Sequence, residues 1–109
     1  MIELNNKVDF KEAKENKRVV VMFSADWCPD CRILDPAIPN LVENNQDFTF
    51  YHADRDALLD VCQEYGVFGI PSFITFHRGE EVSRFVSKDR KTPEDVQSYL
   101  NETREKIDH

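Results

Sequence analysis

The sequence predicts an α/β fold, a central mixed β-sheet of about five strands flanked by four helices. Three observations carry this expectation. Short β-prone runs at Arg18–Phe23 and Phe48–Ala53 alternate with stretches whose apolar residues recur at helical spacing. Ser72–His77 and Glu81–Val86 are joined by the tight pair Arg78-Gly79, which reads as an antiparallel hairpin. Thr92-Pro93-Glu94-Asp95 then opens a final helix with a cap, a proline at the first position and acids in the first turn. Strand–helix alternation followed by a hairpin and a helix requires a sheet of mixed direction.

In chain order, Met1–Leu4 reads as a short edge strand. Asn6 caps a helix over about residues 7–16, with Asp9 in its first turn and Val8 and Ala13 facing inward. Arg18–Phe23 is continuous and β-branched, as expected of a strand covered on both faces. Ile33, Leu34, Ile38, Leu41 and Val42 mark a second helix reaching about Asn44, which Pro36 should kink by removing a hydrogen bond. The aromatic run Phe48–Ala53 is a second central strand. Asp54 and Asp56 offer a cap for a helix with the apolar face Leu58, Val61, Cys62 and Tyr65, ended by Gly66. Val96, Leu100, Thr103 and Ile107 form the inner stripe of the last helix. No repeat, linker or low-complexity segment interrupts the chain, and residues 1–109 read as one domain.

Composition excludes several functions. Hydrophobic residues make up 40%, eight of them Phe, with only three Gly and five Pro, so the chain is globular rather than disordered. Its longest apolar run is about six residues, against roughly 18 for a membrane span. Fourteen Lys and Arg against 21 Asp and Glu leave a net charge of −7, which argues against nucleic acid and anionic membranes as partners. Met1–Lys7 lacks the basic start and apolar segment of a secretory signal, so a cytoplasmic location is expected. Nothing demands a dimer, and a monomer is expected.

The chemistry lies in Trp27-Cys28-Pro29-Asp30-Cys31, where the apolar strand stops and the second helix starts. Cys28 falls just outside that helix and Cys31 in its first turn. Unpaired amides at a helix N-terminus favour a thiolate at Cys28. A thiolate three residues from a second thiol can attack a disulfide and be released from the mixed disulfide by its neighbour. Cys28 is therefore the expected nucleophile and Cys31 the resolving thiol. The competing reading is half of a zinc site, which needs a second pair of ligands. Cys62, His52 and His77 occur singly, so redox chemistry is favoured and no metal is expected. Cys62 lies on an apolar stripe and reads as a core thiol; His109 reads as a tail residue. No glycine-rich phosphate loop is present, so no bound cofactor is expected beyond a redox-active Cys28–Cys31 disulfide.

Several motifs in this order resemble the thioredoxin family along nearly the whole chain. They are Ala25-Asp26-Trp27-Cys28-Pro29-Asp30-Cys31, Pro36, Asp54-x-Asp56, Tyr65-Gly66-Val67-Phe68-Gly69-Ile70-Pro71-Ser72 and Phe76-His77-Arg78-Gly79-Glu80. The resemblance implies reduction of protein disulfides, recycling by a thioredoxin-reductase-like flavoenzyme, and a cis Ile70–Pro71 peptide against the sulfurs. It also implies substrate contacts from Trp27, Pro29, Ile70 and Pro71, with an extended substrate lying along the Ile70 backbone. The chain departs from the family at four points. Pro29-Asp30 replaces Gly-Pro between the cysteines, and the same Trp-Cys-Pro-Asp-Cys occurs in a subgroup with a narrower substrate set. Met22 stands where the family has a buried Asp, His52 near that acid's Lys partner, and Ser87 at about a groove glycine. Asp30 is the nearest acid that could take or relay the Cys31 proton, while its charge opposes ionisation of Cys28. The alternatives are an oxidase or isomerase, or a redox-responsive binding module with weak catalysis.

Overall fold

The computed structural model describes residues 1–108; His109 lies outside the described residues. Five strands form one sheet: β1 (Ile2–Leu4), β2 (Val19–Ser24), β3 (Thr49–Asp54), β4 (Ser72–His77) and β5 (Glu80–Phe85). Their spatial order is β1-β3-β2-β4-β5. The first three run parallel, and β4 and β5 are added antiparallel, giving the expected mixed sheet. No helix is long and apolar enough to cross a membrane among the described residues.

Helices cover both faces, so every residue of β2 is buried. On one face α1 (Lys7–Lys14) and α4 (Leu59–Tyr65) pack Phe10, Ala13, Val61 and Cys62 onto Val19, Val21, Phe23, Ile74 and Phe76. On the other, α2 (Pro29–Leu34), α3 (Ile38–Glu43) and α5 (Pro93–Asp108) pack Leu34, Ile38, Leu41, Val96 and Leu100 onto Val20, Met22, Phe50 and Phe73. Alternation along the strands sorts these sets, because successive side chains point to opposite faces.

Several elements follow their local chemistry. Asn6 accepts from the Asp9 N–H at 2.9 Å and starts α1. A 3-10 turn at Asp35–Ala37 separates α2 from α3 where Pro36 was expected to kink the helix. Gly66 ends α4 in the left-handed conformation at φ 67°. Arg78 and Gly79 both have positive φ, as the tight turn of a right-twisted hairpin requires. Thr92 and Asp95 cap α5 reciprocally, each backbone N–H donating to the other's side chain.

Two expectations are corrected. Val8 does not face inward; it is 63% exposed. Phe10 is the buried residue instead, held edge-to-face against Tyr65 and Phe76 with ring centroids 5.2 and 5.5 Å away. With Phe10 and Ala13 defining the inner face, Val8 is turned toward solvent by helical geometry. Asp54 and Asp56 do not cap α4, whose N-cap is Leu58 without a side-chain bond. The Asp54 carboxylate accepts from the Asp56 N–H in a local turn, and Asp56 reaches Trp27. Ile33, although at helical spacing with its neighbours, is exposed on α2.

Candidate functional site

The sulfurs sit where β2 ends and α2 begins. Cys28 is the N-cap of α2, and Pro29 follows at the first helical position, where its missing N–H costs nothing. The Cys31 N–H donates to Cys28 Sγ at 3.2 Å, so an unpaired helix amide points at the sulfur. Cys28 and Cys31 are both buried and pack with Ala25 and Ile70. Across the gap, Cys28 Sγ lies 3.8 Å from the Ile70 carbonyl oxygen. The Ile70–Pro71 peptide is cis, as the resemblance implied.

The two thiols are not equivalent. Burial, with a further contribution from the hydrogen bond to Cys28, pushes the Cys31 thiol up to about 12. Cys31 therefore holds its proton until something at the site favours the anion. Cys62, in the core under α4, is pushed up to about 11 by burial. It lies in the cluster with Leu58 and Val61, as the apolar stripe predicts.

Trp27 is 58% exposed beside the sulfurs. Its indole N–H donates to Asp56 Oδ2 at 2.7 Å, and the Arg55 guanidinium lies 6.0 Å from the ring centroid. These contacts hold the ring although no core packs around it. Trp27, Val67, Phe68, Gly69 and Ile70 line a cavity of about 190 Å³ together with two cations, Arg55 and Lys88. Phe68, also largely exposed, gives this rim a second aromatic surface.

Asp30 lies in the first turn of α2, where its carboxylate accepts from Arg90 Nε at 3.3 Å. Pro29 is exposed and Pro71 buried. Met22, opposite His52 in the β2–β3 register, is buried among apolar side chains. Both ring nitrogens of His52 are engaged, Nε2 with Ser24 Oγ at 2.5 Å and Nδ1 with the Glu3 carboxylate at 2.8 Å. Among the described residues no three His, Cys, Asp or Glu side chains are grouped as a metal site.

Three features near the sulfurs escape sequence reasoning. The Arg90–Asp30 pair joins residues sixty positions apart, beyond any local pattern. Gly69 is packed so closely that an added Cβ would lie 2.5 Å from the Ser87 carbonyl oxygen. Lys91 is buried in the loop before α5. Its signal was available: it precedes the cap Thr92, the place where an apolar residue often packs onto the helix.

A family model described as Thioredoxin matches residues 2–102. Thioredoxin H2 of Arabidopsis thaliana is 41% identical over 81 residues, 73% of this chain and 61% of that protein. The mitochondrial Thioredoxin-2 of Schizosaccharomyces pombe is 39% identical over 77 residues, 71% of this chain and 58% of that protein. The chain thus spans about three fifths of the length of these curated relatives. The crystal structure of Schistosoma mansoni thioredoxin superposes with a TM-score of 0.78 at 31% identity, covering 93% of each chain.

Proposed function

The chain belongs to the thioredoxin family, and on that premise we propose that it is a thiol-disulfide oxidoreductase that reduces protein disulfides. The observation that carries the proposal is the Cys28–Cys31 pair at the head of α2, with the Cys31 N–H aimed at Cys28 Sγ and the cis Ile70–Pro71 peptide facing it. Cys28 attacks one sulfur of a substrate disulfide, forming a mixed disulfide and expelling the other sulfur as a thiolate. Cys31 then loses its proton and attacks Cys28 Sγ. The Cys28–Cys31 disulfide forms and the second substrate sulfur leaves. Two electrons pass to the substrate, and its two thiolates take up the two protons given up by the dithiol.

Trp27, Pro29, Ile70 and Pro71 are the substrate-binding residues in this reading, with the Ile70 backbone pairing with an extended segment. The aromatic cavity carrying Arg55 and Lys88 supports a range narrower than that of a general thioredoxin. It suits segments that place an apolar and an acidic side chain next to the disulfide. The proposal includes one domain acting as a monomer in the cytoplasm, with a thioredoxin-reductase-like enzyme restoring the dithiol.

Turnover of a protein disulfide with dithiothreitol as the terminal reductant tests the reading. Wild type accelerates reduction, Cys28→Ser does not, and Cys31→Ser stalls as a mixed disulfide. Full acceleration by Cys28→Ser would overturn it. A Cys28–Cys31 potential near about −270 mV fits a reductase, and one above about −200 mV an oxidant or isomerase.

A further inference from the structure

Among the described residues Lys91 is the only charged side chain that is buried, at 2% exposed, and it has no ion pair. Its Nζ donates to Ser87 O at 3.3 Å, Ser87 Oγ at 3.1 Å and Asp89 O at 3.0 Å, and lies 5.1 Å from the centroid of the Phe85 ring. All of these partners are neutral, so the ammonium is solvated by the loop but its charge is not cancelled. Taking a charge out of water without a counter-ion is costly. A methionine would fill the same space at this apolar-favouring position before the α5 cap without that cost.

The loop that carries Lys91 is fastened to the dithiol on two sides. Arg90 bonds Asp30 in the first turn of α2. The Ser87 carbonyl is packed against Gly69, next to the Ile70 carbonyl that meets Cys28 Sγ. Burial pushes the Lys91 ammonium down from its ordinary value, and negative charge on Asp89 in its own loop, Cys31 and Asp30 on α2 and Cys28 at the α2 cap would raise it; Asp95 at the start of α5 is in turn lowered in part by Lys91. Asp30 is paired with Arg90, and Asp95 accepts from the Thr92 N–H. Cys31 is the buried group among them that must become an anion for the reaction to finish.

We propose that Lys91 is the electrostatic partner of the resolving step, its buried ammonium stabilising the Cys31 thiolate as that thiolate forms to attack the mixed disulfide. This rests on the roles given above to Cys28 and Cys31. Lys91 bonds neither sulfur, so it acts as a positioning residue through its charge. Lys91 takes no part in the proton transfer; the Cys31 proton passes to solvent or to the leaving thiolate, and the Cys28–Cys31 bond forms as the Cys28–substrate bond breaks.

The chromogenic disulfide dithiobisnitrobenzoate, used in excess-free single turnover across a pH series, separates the two steps. Attack by Cys28 releases one nitrothiobenzoate and resolution by Cys31 releases the second. In Lys91→Met the second release at neutral pH should slow about tenfold and its pH profile should move to higher pH. Lys91→Arg, which keeps the charge, should stay within about threefold of wild type. Lys91→Gln, neutral but able to hydrogen-bond the loop, should behave like Lys91→Met and decides the matter if the methionine variant does not fold. A second release in the neutral variants equal to wild type overturns the inference, as does an equal loss in Lys91→Arg. Failure of wild type to release the first or second thiolate refutes the dithiol mechanism itself, whatever the Lys91 variants do.

Discussion

Gly69→Ala tests how tightly the two loops around the sulfurs are joined. An alanine Cβ there would stand 2.5 Å from the Ser87 carbonyl oxygen, 2.7 Å from its carbon and 2.8 Å from Lys88 Cα. Heavy atoms in comfortable contact are about 3.5 Å apart, so one backbone segment must retreat by about 1 Å. All three neighbours are main chain, and no side chain can swing aside to relieve the contact. Overpacking of this kind costs about 1–3 kcal/mol. For a chain of this length that lowers Tm by about 4–12 °C. The segment that retreats carries the Ser87 acceptors of Lys91 and the cavity-lining Lys88. Disulfide turnover should therefore fall on the order of tenfold, since misplacement by about 1 Å is expensive at a reacting centre. Urea unfolding and turnover with a protein disulfide measure the two effects. Gly79→Ala is the control: φ is +88° and the nearest atoms belong to the flexible end of Glu15. It should cost about 1 kcal/mol and leave turnover intact. A Gly69→Ala protein with wild-type Tm and turnover would refute the claim that this contact fixes the site.

Three further outcomes are expected. Phe10→Ala should lose about 3–5 kcal/mol in denaturant unfolding, because it empties the aromatic cluster with Tyr65 and Phe76, whereas Val8→Ala at an exposed position should stay within about 0.5 kcal/mol. Asp30→Asn should shift the pH dependence of single-turnover disulfide reduction while changing Tm only slightly, since its Arg90 partner is largely exposed and an ion pair open to water contributes little; an unchanged profile removes Asp30 from the mechanism. Cys62 keeps its proton in the fold up to about 11, above the unfolded thiol. The unfolded chain therefore binds fewer protons between the two values, so stability is intact at neutral pH and declines as pH rises through about 11. Cys62→Val should flatten that alkaline decline in Tm; an identical slope would contradict the buried-thiol assignment.

The sheet was legible because its central strands leave no ambiguity. Val19–Phe23 is apolar at every position, which only a strand covered on both faces, or a buried helix too short to stand alone, can satisfy. Cys28 and Cys31 were legible because capping is local: a residue before Pro29 and a residue three positions on share one helix end. Val8 misled because a single apolar residue in a short polar helix does not define a face. The face was chosen by Tyr65 and Phe76, residues far along the chain that accept Phe10. Asp54 and Asp56 failed as caps for the same reason, since the Asp56 carboxylate is drawn to Trp27 across the site. Ser87-Lys88-Asp89-Arg90-Lys91 has the composition of a solvated loop, and only its docking on Gly69 and Asp30 turns Lys91 inward.

The position of the charges decides how the resolving thiol can be activated. On the sheet beneath the sulfurs Met22 offers no titratable group, and His52 already directs one ring nitrogen to Ser24 and the other to Glu3. A buried acid acting as general base would impose its own titration on the second step, giving a rate that levels off above the pKa of that acid. A fixed cation does something different. While it is protonated it lowers the cost of the Cys31 anion but takes no proton from it, so the logarithm of the resolving rate should climb with a slope near one across neutral pH; burial pushes the Lys91 ammonium down from the usual lysine value, so this help fades on the alkaline side. Levelling should come only where Cys31 itself titrates, a point that burial sets high and that the proposed role of Lys91 would draw down. A plateau between about pH 6 and 8 would require a group acting as general base, and would return the search to Asp30, the acid nearest in sequence to the resolving thiol, and to Asp89 in the Lys91 loop.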